Sequence, residues 1–286
     1  MQTKPKISTE AWMDMLCASL TDASIVTPHG DFLPGFPSEE LQRNTTSLSG
    51  EQALRQAHSF YADISDVLNG SDRSILPNWN ILDFGSCWGR ISRFFLRDIS
   101  LGNLHGIDVD QGFVNTCRSL FKSDNFAVCS PLPPCDFANS SMNLIAAYSV
   151  FSHLSEVAFK AWMFEFHRIL KSDGVVAFTT RNESFFDYCA NLQSRVGSLT
   201  GYSKALANMI PNIQEAKQKY LSGEFVFVTS QGVSGGGAMN EKFYGEAFVP
   251  KAYIERNAGE LFEILDYKAS GKAYDQALFI LKKRSN

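Results

Sequence analysis

The 286-residue sequence predicts an α/β fold in which helices cover a mostly parallel sheet. Short apolar runs alternate along the chain with segments whose apolar residues recur at helical spacing. One run, LIAAYSVF at 144–151, is apolar without interruption, which is typical of a strand buried on both faces. Strands that alternate with helices indicate βαβ units, a mostly parallel sheet and right-handed crossovers.

The predicted elements follow one another in a regular order. Five strands are expected at 80–84, 104–110, 126–129, 144–151 and 175–180. Helices with an apolar stripe are expected between them at 89–99, 112–122 and 155–171. Ser155 can cap the third helix, and Gly174 is expected in the turn after its end. Two more strands are predicted near the end of the chain, at 261–267 and 276–283.

Two additions flank this core pattern. Residues 1–75 are predicted to form a helical extension, with a helix from Ser49 whose inward residues are Ala53, Leu54, Ala57, Phe60, Ile64 and Leu68. Residues 182–250 are predicted to form an α+β insertion that caps the substrate. Its expected pieces are helices near 184–196 and 202–221, strands at 224–230 and 242–249, and a glycine-rich loop at 231–241. The core would then comprise 76–181 and 251–286.

Composition narrows the class of protein. The formal net charge is −4 and no long Lys/Arg run is present, which argues against nucleic acid as the partner. No apolar run is long enough to span a membrane, and Asp14 interrupts the apolar part of the N-terminus, so a cytoplasmic protein is expected. The six cysteines form no Cys-x-x-Cys pair and have no histidine cluster beside them, which favours reduced thiols over a metal site.

The stretch NILDFGSCWGR, at 80–90, places a glycine-bearing turn directly after a predicted strand. Gly85 and Gly89 allow the backbone to bend and a ligand to approach closely. Asp108 ends the next strand about 20 residues later, where a carboxylate can accept the hydroxyls of a ribose. These features predict a nucleoside-bearing cofactor at the carboxyl ends of the strands, and at this point they leave nicotinamide open.

Four segments in order resemble class I S-adenosylmethionine-dependent methyltransferases. GSCWGR lacks the Gly-x-Gly-x-x-Gly spacing of nicotinamide sites, whereas Asp-x-Gly-x-x-x-Gly-Arg resembles motif I of the methyltransferases. PPCDFANSSMNLI (133–145), YSVFSHLSE (148–156) and FEFHRILKSDGVVAFTT (164–180) resemble the later motifs, so the resemblance covers roughly 80–180. It implies a Rossmann-like sheet of seven strands in the order 3-2-1-4-5-7-6, with the final strand antiparallel.

The resemblance also implies S-adenosyl-L-methionine as the cofactor, with a set of binding residues at the strand ends. These are Asp83, Gly85, Ser86, Cys87, Gly89, Arg90, Asp108, Val109, Tyr148 and Ser149. Three departures from the family pattern stand out. Cys87 occupies the position of a glycine, Asn143 that of an acid, and Ser172-Asp173-Gly174 that of Pro-Gly-Gly. Packing is the favoured role for Cys87, and a catalytic thiol is the alternative.

The expected reaction is methyl transfer to a hydroxyl of a small molecule or saccharide. His153, just past the fourth strand, is the candidate general base, and the alternative is a structural histidine at the helix entry. Glu183 and Tyr244 are candidates for orienting the substrate. Two other functions stay open: N-methyl transfer to a small metabolite, and a non-catalytic nucleoside-binding protein. The sequence does not specify the oligomeric state.

Overall fold

The computed structural model describes residues 7–229, 240–271 and 273–285. Its strands are β1 (Ile81–Phe84), β2 (Leu104–Asp108), β3 (Phe126–Val128), β4 (Met142–Ala147), β5 (Leu170–Thr180), β6 (Val226–Thr229), β7 (Gly245–Phe248), β8 (Phe262–Lys268) and β9 (Ala277–Lys283). Its helices are α1 (Thr9–Ala18), α2 (Glu39–Thr46), α3 (Gly50–Gly70), α4 (Ser92–Phe95), α5 (Gln111–Phe121), α6 (Glu156–Ile169), α7 (Ser184–Ser194), α8 (Gly201–Met209), α9 (Ile213–Leu221) and α10 (Lys251–Asn257).

The strand order of the central sheet confirms the predicted fold class. Seven strands are hydrogen-bonded in the order β3-β2-β1-β4-β5-β9-β8, and β6 and β7 form a separate hairpin. With that hairpin left out of the count, the order is the expected 3-2-1-4-5-7-6. β1 pairs in parallel with β2 and β4, whereas β9 is antiparallel to both β5 and β8.

The chain divides into two compact units. One comprises Met1–Cys129 with Met142–Ala146, and the other comprises Ser130–Ser141 with Ala147–Asn286. In the first unit, α3 buries all six of the apolar residues expected to face inward, as its helical spacing predicts. In the second unit, the helices and hairpin of the insertion share a core of their own: Phe185, Phe186, Cys189, Leu192, Leu206, Ala207, Ile210, Ile213, Tyr220, Val226 and Phe248.

The fourth strand is shorter than its apolar run suggests. It ends at Ala147, because the chain turns sharply at Ser149, which has a φ of 58°. Phe151 therefore packs in the core against Phe159 and Phe178, with ring centroids 5.1 and 4.8 Å away, instead of extending the strand. A continuous apolar run does not reveal where a strand stops when the chain beyond it is equally buried.

Other element boundaries also differ from the expectation. The helix predicted at 89–99 is reduced to α4, because the carboxylate of Asp83 accepts the Ser92 N–H at 3.0 Å and fixes the first turn there. The helix predicted at 202–221 is two helices, α8 and α9, since Pro211 interrupts the backbone ladder between them. β5 begins directly after α6, so Gly174 lies in the strand and not in a turn.

The glycine-rich loop predicted at 231–241 lies outside the described residues, apart from its last two positions. None of the helices in the described ranges is long and apolar enough to cross a membrane. In those same ranges, no group of three or more His, Cys, Asp or Glu side chains is arranged to hold a metal ion.

Candidate functional site

The loop after β1 is tied to the carboxyl end of β2. The N–H groups of Gly85 and Ser86 both donate to the carbonyl of Ile107, at 2.8 and 3.1 Å. The N–H of Cys87 donates to the Asp108 carboxylate at 2.9 Å. These bonds hold the turn and the acid together at the edge of the sheet where ligands of parallel α/β proteins bind.

The backbone of this loop explains the residues it contains. Gly85, Cys87 and Gly89 all have positive φ, at 76°, 49° and 77°. A Cβ at Gly89 would lie 2.2 Å from the Phe121 ring, so this position requires glycine. Cys87 adopts a conformation that favours glycine, although a side chain is present. The backbone conformation therefore explains why the methyltransferase motif has a glycine at the position of Cys87, and no chemical role is needed.

The Cys87 thiol is poorly suited to catalysis. Burial, together with the nearby Asp108 carboxylate, raises the pKa of the Cys87 thiol to about 12. A thiol with that pKa stays protonated near neutral pH, and only the thiolate is an effective nucleophile. The structure thus supports the interpretation of Cys87 as a packing residue.

Asp108 has the chemistry needed to hold a nucleoside. Its side chain is buried, with Oδ1 accepting the Asp110 N–H at 3.0 Å and Oδ2 accepting that of Cys87. Burial raises the pKa of Asp108, and the backbone hydrogen bonds oppose that rise by stabilising the anion. Each carboxylate oxygen can accept more than one hydrogen bond, so the two oxygens can also accept from the two hydroxyls of a ribose. Val109 follows directly and is half-buried.

Asp83, the first residue of the motif Asp-x-Gly-x-x-x-Gly-Arg, has a different environment. Its Oδ2 accepts both the N–H and the hydroxyl of Ser92, at 3.0 and 2.5 Å. Burial raises the pKa of Asp83 to about 6, and the Ser92 bonds only partly offset that effect. These contacts join β1 to α4, which makes Asp83 a support for the loop whether or not it also contacts the cofactor.

Residues from the N-terminal extension cover the motif loop. Arg93 is fully buried and donates to the carbonyls of Pro34 and Gly35, at 3.3 and 3.2 Å. Its guanidinium carbon lies 4.1 Å from the ring centroid of Phe36. Arg90 donates to Gln56 Oε1 at 2.6 Å. The sequence pattern of the motif gave no indication of these contacts with residues about 35 to 60 positions away.

Tyr148 and Ser149 follow the carboxyl end of β4, in the second unit. The N–H of Ser149 donates to Thr179 Oγ1 at 2.8 Å, and Gln276 Nε2 donates to the Ser149 hydroxyl at 2.9 Å. Tyr148 packs edge-on against Tyr274, with ring centroids 5.6 Å apart. These bonds fix the sharp turn that precedes His153.

The structure places His153 against Tyr244, so two of the predicted site residues lie together. Their rings are stacked with centroids 5.0 Å apart. His153 Nδ1 lies 2.8 Å from the carbonyl of Gly245, which accepts only from a protonated Nδ1. Burial lowers the pKa of His153, so the neutral ring is favoured, and its proton-accepting lone pair is then on Nε2.

A buried ion pair beside His153 was not anticipated from the sequence. The Glu246 side chain is only 2% exposed, and its Oε2 accepts from Arg181 Nε at 2.5 Å. Its Oε1 accepts from the Tyr202 hydroxyl at 2.8 Å and lies 3.6 Å from His153 Nδ1. Burial alone would raise the pKa of Glu246, but His153, Arg181 and Tyr202 hold it below its usual value. The sequence contains one signal of this buried ion pair, because Glu246 lies within the otherwise apolar strand segment GEAFV.

Glu183 belongs to a different feature from His153. It pairs with Lys217 at 3.2 Å, and half of its side chain is exposed. It lines an open pocket of about 490 Å³ together with Tyr220, Tyr267 and Asp275. The structure therefore separates the two residues predicted to orient the substrate, since Tyr244 contacts His153 and Glu183 contacts α9.

Asn143, the departure expected to affect the site, has a structural role. Its Oδ1 accepts the N–H of Asn80 at 2.9 Å, and its own N–H donates to the Asn80 carbonyl at 2.8 Å. These bonds join the beginnings of β4 and β1. Asn143 thus lies at the end of the strands opposite to the loop that carries Gly85 and Cys87.

The fold and the loop geometry define an α/β protein with a glycine-bearing turn and a buried acid at the carboxyl ends of β1 and β2. Comparison with known proteins specifies that class further. Residues 81–174 match a family model described as a methyltransferase domain. No curated protein matches the chain significantly by sequence.

Solved structures share the fold at low sequence identity. An S-adenosylmethionine-dependent methyltransferase from Methanosarcina mazei is 14% identical, with a TM-score of 0.50, covering 73% of this chain and 94% of its own. One from Mesorhizobium loti is 10% identical, also with a TM-score of 0.50, covering 79% of this chain and 98% of its own. The methyltransferase-domain match over residues 81–174 supports S-adenosylmethionine-dependent methyl transfer, and the solved structures share the fold.

Proposed function

We propose that the protein methylates a hydroxyl group of a small molecule or saccharide, with His153 as the general base. The observation that carries this proposal is the 2.8 Å contact between His153 Nδ1 and the carbonyl of Gly245. That contact holds the imidazole in the tautomer whose Nε2 accepts a proton. In the part of the chain that the structure describes, Nε2 has no hydrogen-bond partner, and 13% of the side chain is exposed.

S-adenosylmethionine supplies an electrophilic methyl group when it is bound. The chain's own residues would hold it through the ribose hydroxyls at Asp108 and through the backbone of the loop at Gly85, Ser86, Cys87 and Gly89. Positioning of two reactants in this way can lower a barrier by about 7–11 kcal/mol.

Proton transfer to His153 is the step that a hydroxyl acceptor needs. The hydroxyl proton would move to Nε2 as the acceptor oxygen takes the methyl group, whose bond to the sulfonium sulfur breaks, so that S-adenosylhomocysteine leaves. The imidazolium that forms is stabilised by Glu246, whose carboxylate lies 3.6 Å from Nδ1. This arrangement of base and orienting carboxylate is expected to contribute about 10²–10⁴ in rate.

The insertion at 182–250 would enclose the acceptor, since it supplies Tyr202, Tyr244 and Glu246 to the surroundings of His153. The extension at 1–75 would close over the cofactor, since its residues Pro34, Gly35 and Gln56 contact the motif loop and α4. Exclusion of water by such segments strengthens electrostatic interactions within a site.

The test is methyl transfer from labelled cofactor to matched panels of hydroxyl and amine acceptors, followed by variants on the best acceptor. His153→Ala should lower turnover by roughly 10²-fold or more, and His153→Gln should not restore it, because an amide cannot accept the proton. The rate should rise with pH through a pKa below about 6.5, since burial lowers the pKa of His153. His29→Ala, at an exposed histidine, is the control and should change none of these quantities.

Amine acceptors that outperform every hydroxyl, with His153→Ala nearly as active as the unmodified protein, would replace this proposal with N-methyl transfer. Cofactor binding without stoichiometric methyl transfer to either panel would favour a nucleoside-binding protein.

A further inference from the structure

The guanidinium of Arg181 has two nitrogens, Nη1 and Nη2, that make no hydrogen bond among the described residues. Arg181 follows β5 directly, at the carboxyl end of that strand, and its N–H donates to the carbonyl of Ala247 at 3.1 Å. Its Nε is taken by Glu246, and its guanidinium carbon lies 4.1 Å above the ring centroid of Phe185. The ring and the carboxylate together fix the plane of the guanidinium.

The two Nη groups of Arg181 have no acceptor among residues 7–229, 240–271 and 273–285. They are not sealed in the interior either, since 13% of the side chain is exposed and neither atom is among the fully buried polar atoms without a partner. A guanidinium has five N–H donors in a fixed fork, and here only the Nε–H is engaged. Four donors of this partly exposed guanidinium thus have no acceptor among the described residues.

The Glu246 carboxylate contacts both Arg181 and His153. Glu246 Oε2 holds Arg181 Nε at 2.5 Å, and Glu246 Oε1 lies 3.6 Å from His153 Nδ1. The unpartnered Nη groups and the unpartnered His153 Nε2 therefore belong to one cluster in the second unit. One group donates hydrogen bonds and the other accepts a proton, which is what an acceptor with both an anionic and a hydroxyl group would require.

We propose that Arg181 binds an oxyanion of the methyl acceptor, a carboxylate or a phosphate, through its Nη groups. The proposal rests on the proposed function, because it assigns the acceptor to the site of His153. The planar guanidinium can donate two parallel hydrogen bonds to a carboxylate or phosphate. Because of this geometry, Arg is better suited than Lys to bind such an oxyanion. The acceptor class is then a hydroxy acid or a phosphorylated alcohol, including an acidic or phosphorylated sugar.

The charges of the cluster are consistent with such an acceptor. Without it, Arg181 and Glu246 cancel each other and His153 is neutral. A bound oxyanion adds one negative charge or more, and proton transfer to His153 then adds a positive charge close by. A nearby anion favours the charged imidazolium, so the acceptor would itself promote the transfer of its hydroxyl proton.

This charge argument gives a measurement that does not depend on turnover. The protein, loaded with S-adenosylhomocysteine, is labelled at its five histidines, and the His153 resonance is assigned by its loss in His153→Gln. Acetate and inorganic phosphate are titrated at constant ionic strength, with acetamide as the neutral match for acetate. The titratable groups around His153 are Glu246, Arg181 and the stacked Tyr244. Tyr202 acts on His153 indirectly, because its hydroxyl donates to Glu246.

At least one of the two anions should shift the His153 resonance saturably and raise its pKa, and acetamide should do neither. A response to acetate indicates a carboxylate acceptor, and one to phosphate alone indicates a phosphorylated acceptor. In Arg181→Gln the anion should bind at least about tenfold more weakly, since charge-assisted bonds are lost. Lys217→Gln removes another partly buried cation of the same unit, and it should leave the response unchanged.

Arg181→Gln leaves Glu246 without its partner and can unfold the protein, so Arg181→Gln combined with Glu246→Gln is the second variant. The proposal is overturned by an unmodified protein that shows no saturable response to either anion. It is also overturned by equal responses to acetate and acetamide, or by an anion response that persists in either Arg181 variant. None of these results depends on the turnover of His153→Ala, so the failure of this proposal can be distinguished from that of the proposed function.

Discussion

Replacement of Glu246 by glutamine tests the buried cluster directly. The change is nearly isosteric and keeps one of the two oxygens, so the side chain can still accept from either Tyr202 or Arg181. It removes the negative charge from a side chain that is 2% exposed and lies 2.5 Å from Arg181 Nε. Arg181 then has no ionised partner among the described residues.

The expected cost follows from burial. Removal of one partner of a buried ion pair typically destabilises a protein by about 3–5 kcal/mol, because the remaining charge is desolvated without compensation. Since the amide oxygen retains part of the hydrogen bonding, we expect a loss of about 3 kcal/mol in the free energy of unfolding. The pKa of His153 should fall further below its ordinary value, because Glu246 is the group that opposes the effect of burial on His153.

Urea unfolding followed by circular dichroism measures the first quantity, and a histidine NMR titration measures the second. Glu183→Gln is the matched control, because Glu183 also pairs with a cation, Lys217, but is half exposed. Exposed pairs contribute about 0–1 kcal/mol, so this variant should be nearly as stable as the unmodified protein. A Glu246→Gln variant that loses less than about 1 kcal/mol, or in which the pKa of His153 rises, would refute the reasoning.

Three further predictions concern the loop after β1 and the acids Asp83 and Asp108. Asp108→Asn should weaken binding of S-adenosylhomocysteine about tenfold or more by isothermal titration, since a hydrogen bond to a charged group contributes about 1.5–3 kcal/mol; unchanged affinity would exclude Asp108 as the ribose ligand. Cys87→Gly should be more stable than Cys87→Ala by about 1 kcal/mol, because both lack the thiol and only glycine is unstrained at a φ of 49°; equal stabilities would show that the loop relaxes. Asp83 has a pKa of about 6 in the folded protein against about 3.9 unfolded, so its ionisation destabilises the fold as pH rises through that window. Between about pH 4 and pH 7.5, the stability of Asp83→Asn relative to the unmodified protein should therefore increase by about 2.4 kcal/mol, and a pH-independent difference would contradict that pKa.

The positions of the loop after β1 and of the acid at the end of β2 could be predicted from the sequence because their determinants are local. The loop from Gly85 to Gly89 follows its strand directly, and Asp108 ends the next strand, so both positions follow from the βαβ pattern. The strand order and the antiparallel last strand followed from the resemblance to the methyltransferases. What the motif could not show is the cover from Pro34 and Gly35, because Arg93 looks like an ordinary helix-surface residue in the sequence.

Only some of the residues around His153 could be predicted from the sequence. His153 and Tyr244 were both candidates, but their stacking depends on a pairing between 152–154 and 244–247 that sequence spacing does not reveal. Arg181 and Glu246 are 65 positions apart and form their ion pair only after β7 has folded back beside the end of β5. Glu183 was selected for its position near a strand end, a criterion that carries no information on which way a side chain faces.

The register of β7 decides whether the proposed acceptor site exists at all. In the hairpin, Glu246 is opposite Val228, and its neighbours Gly245 and Ala247 point to the other face. A slip of one residue would turn Glu246 away from Arg181 and His153 and place a small residue in the cluster. Gly245 helps to fix the register, because a Cβ at this position would lie 2.2 Å from the Val228 carbonyl oxygen and would force the strands apart. The proposed acceptor site therefore depends on one glycine that contacts His153 through its backbone. An insertion that alters this hairpin would change the acceptor specificity without any change in the cofactor motif.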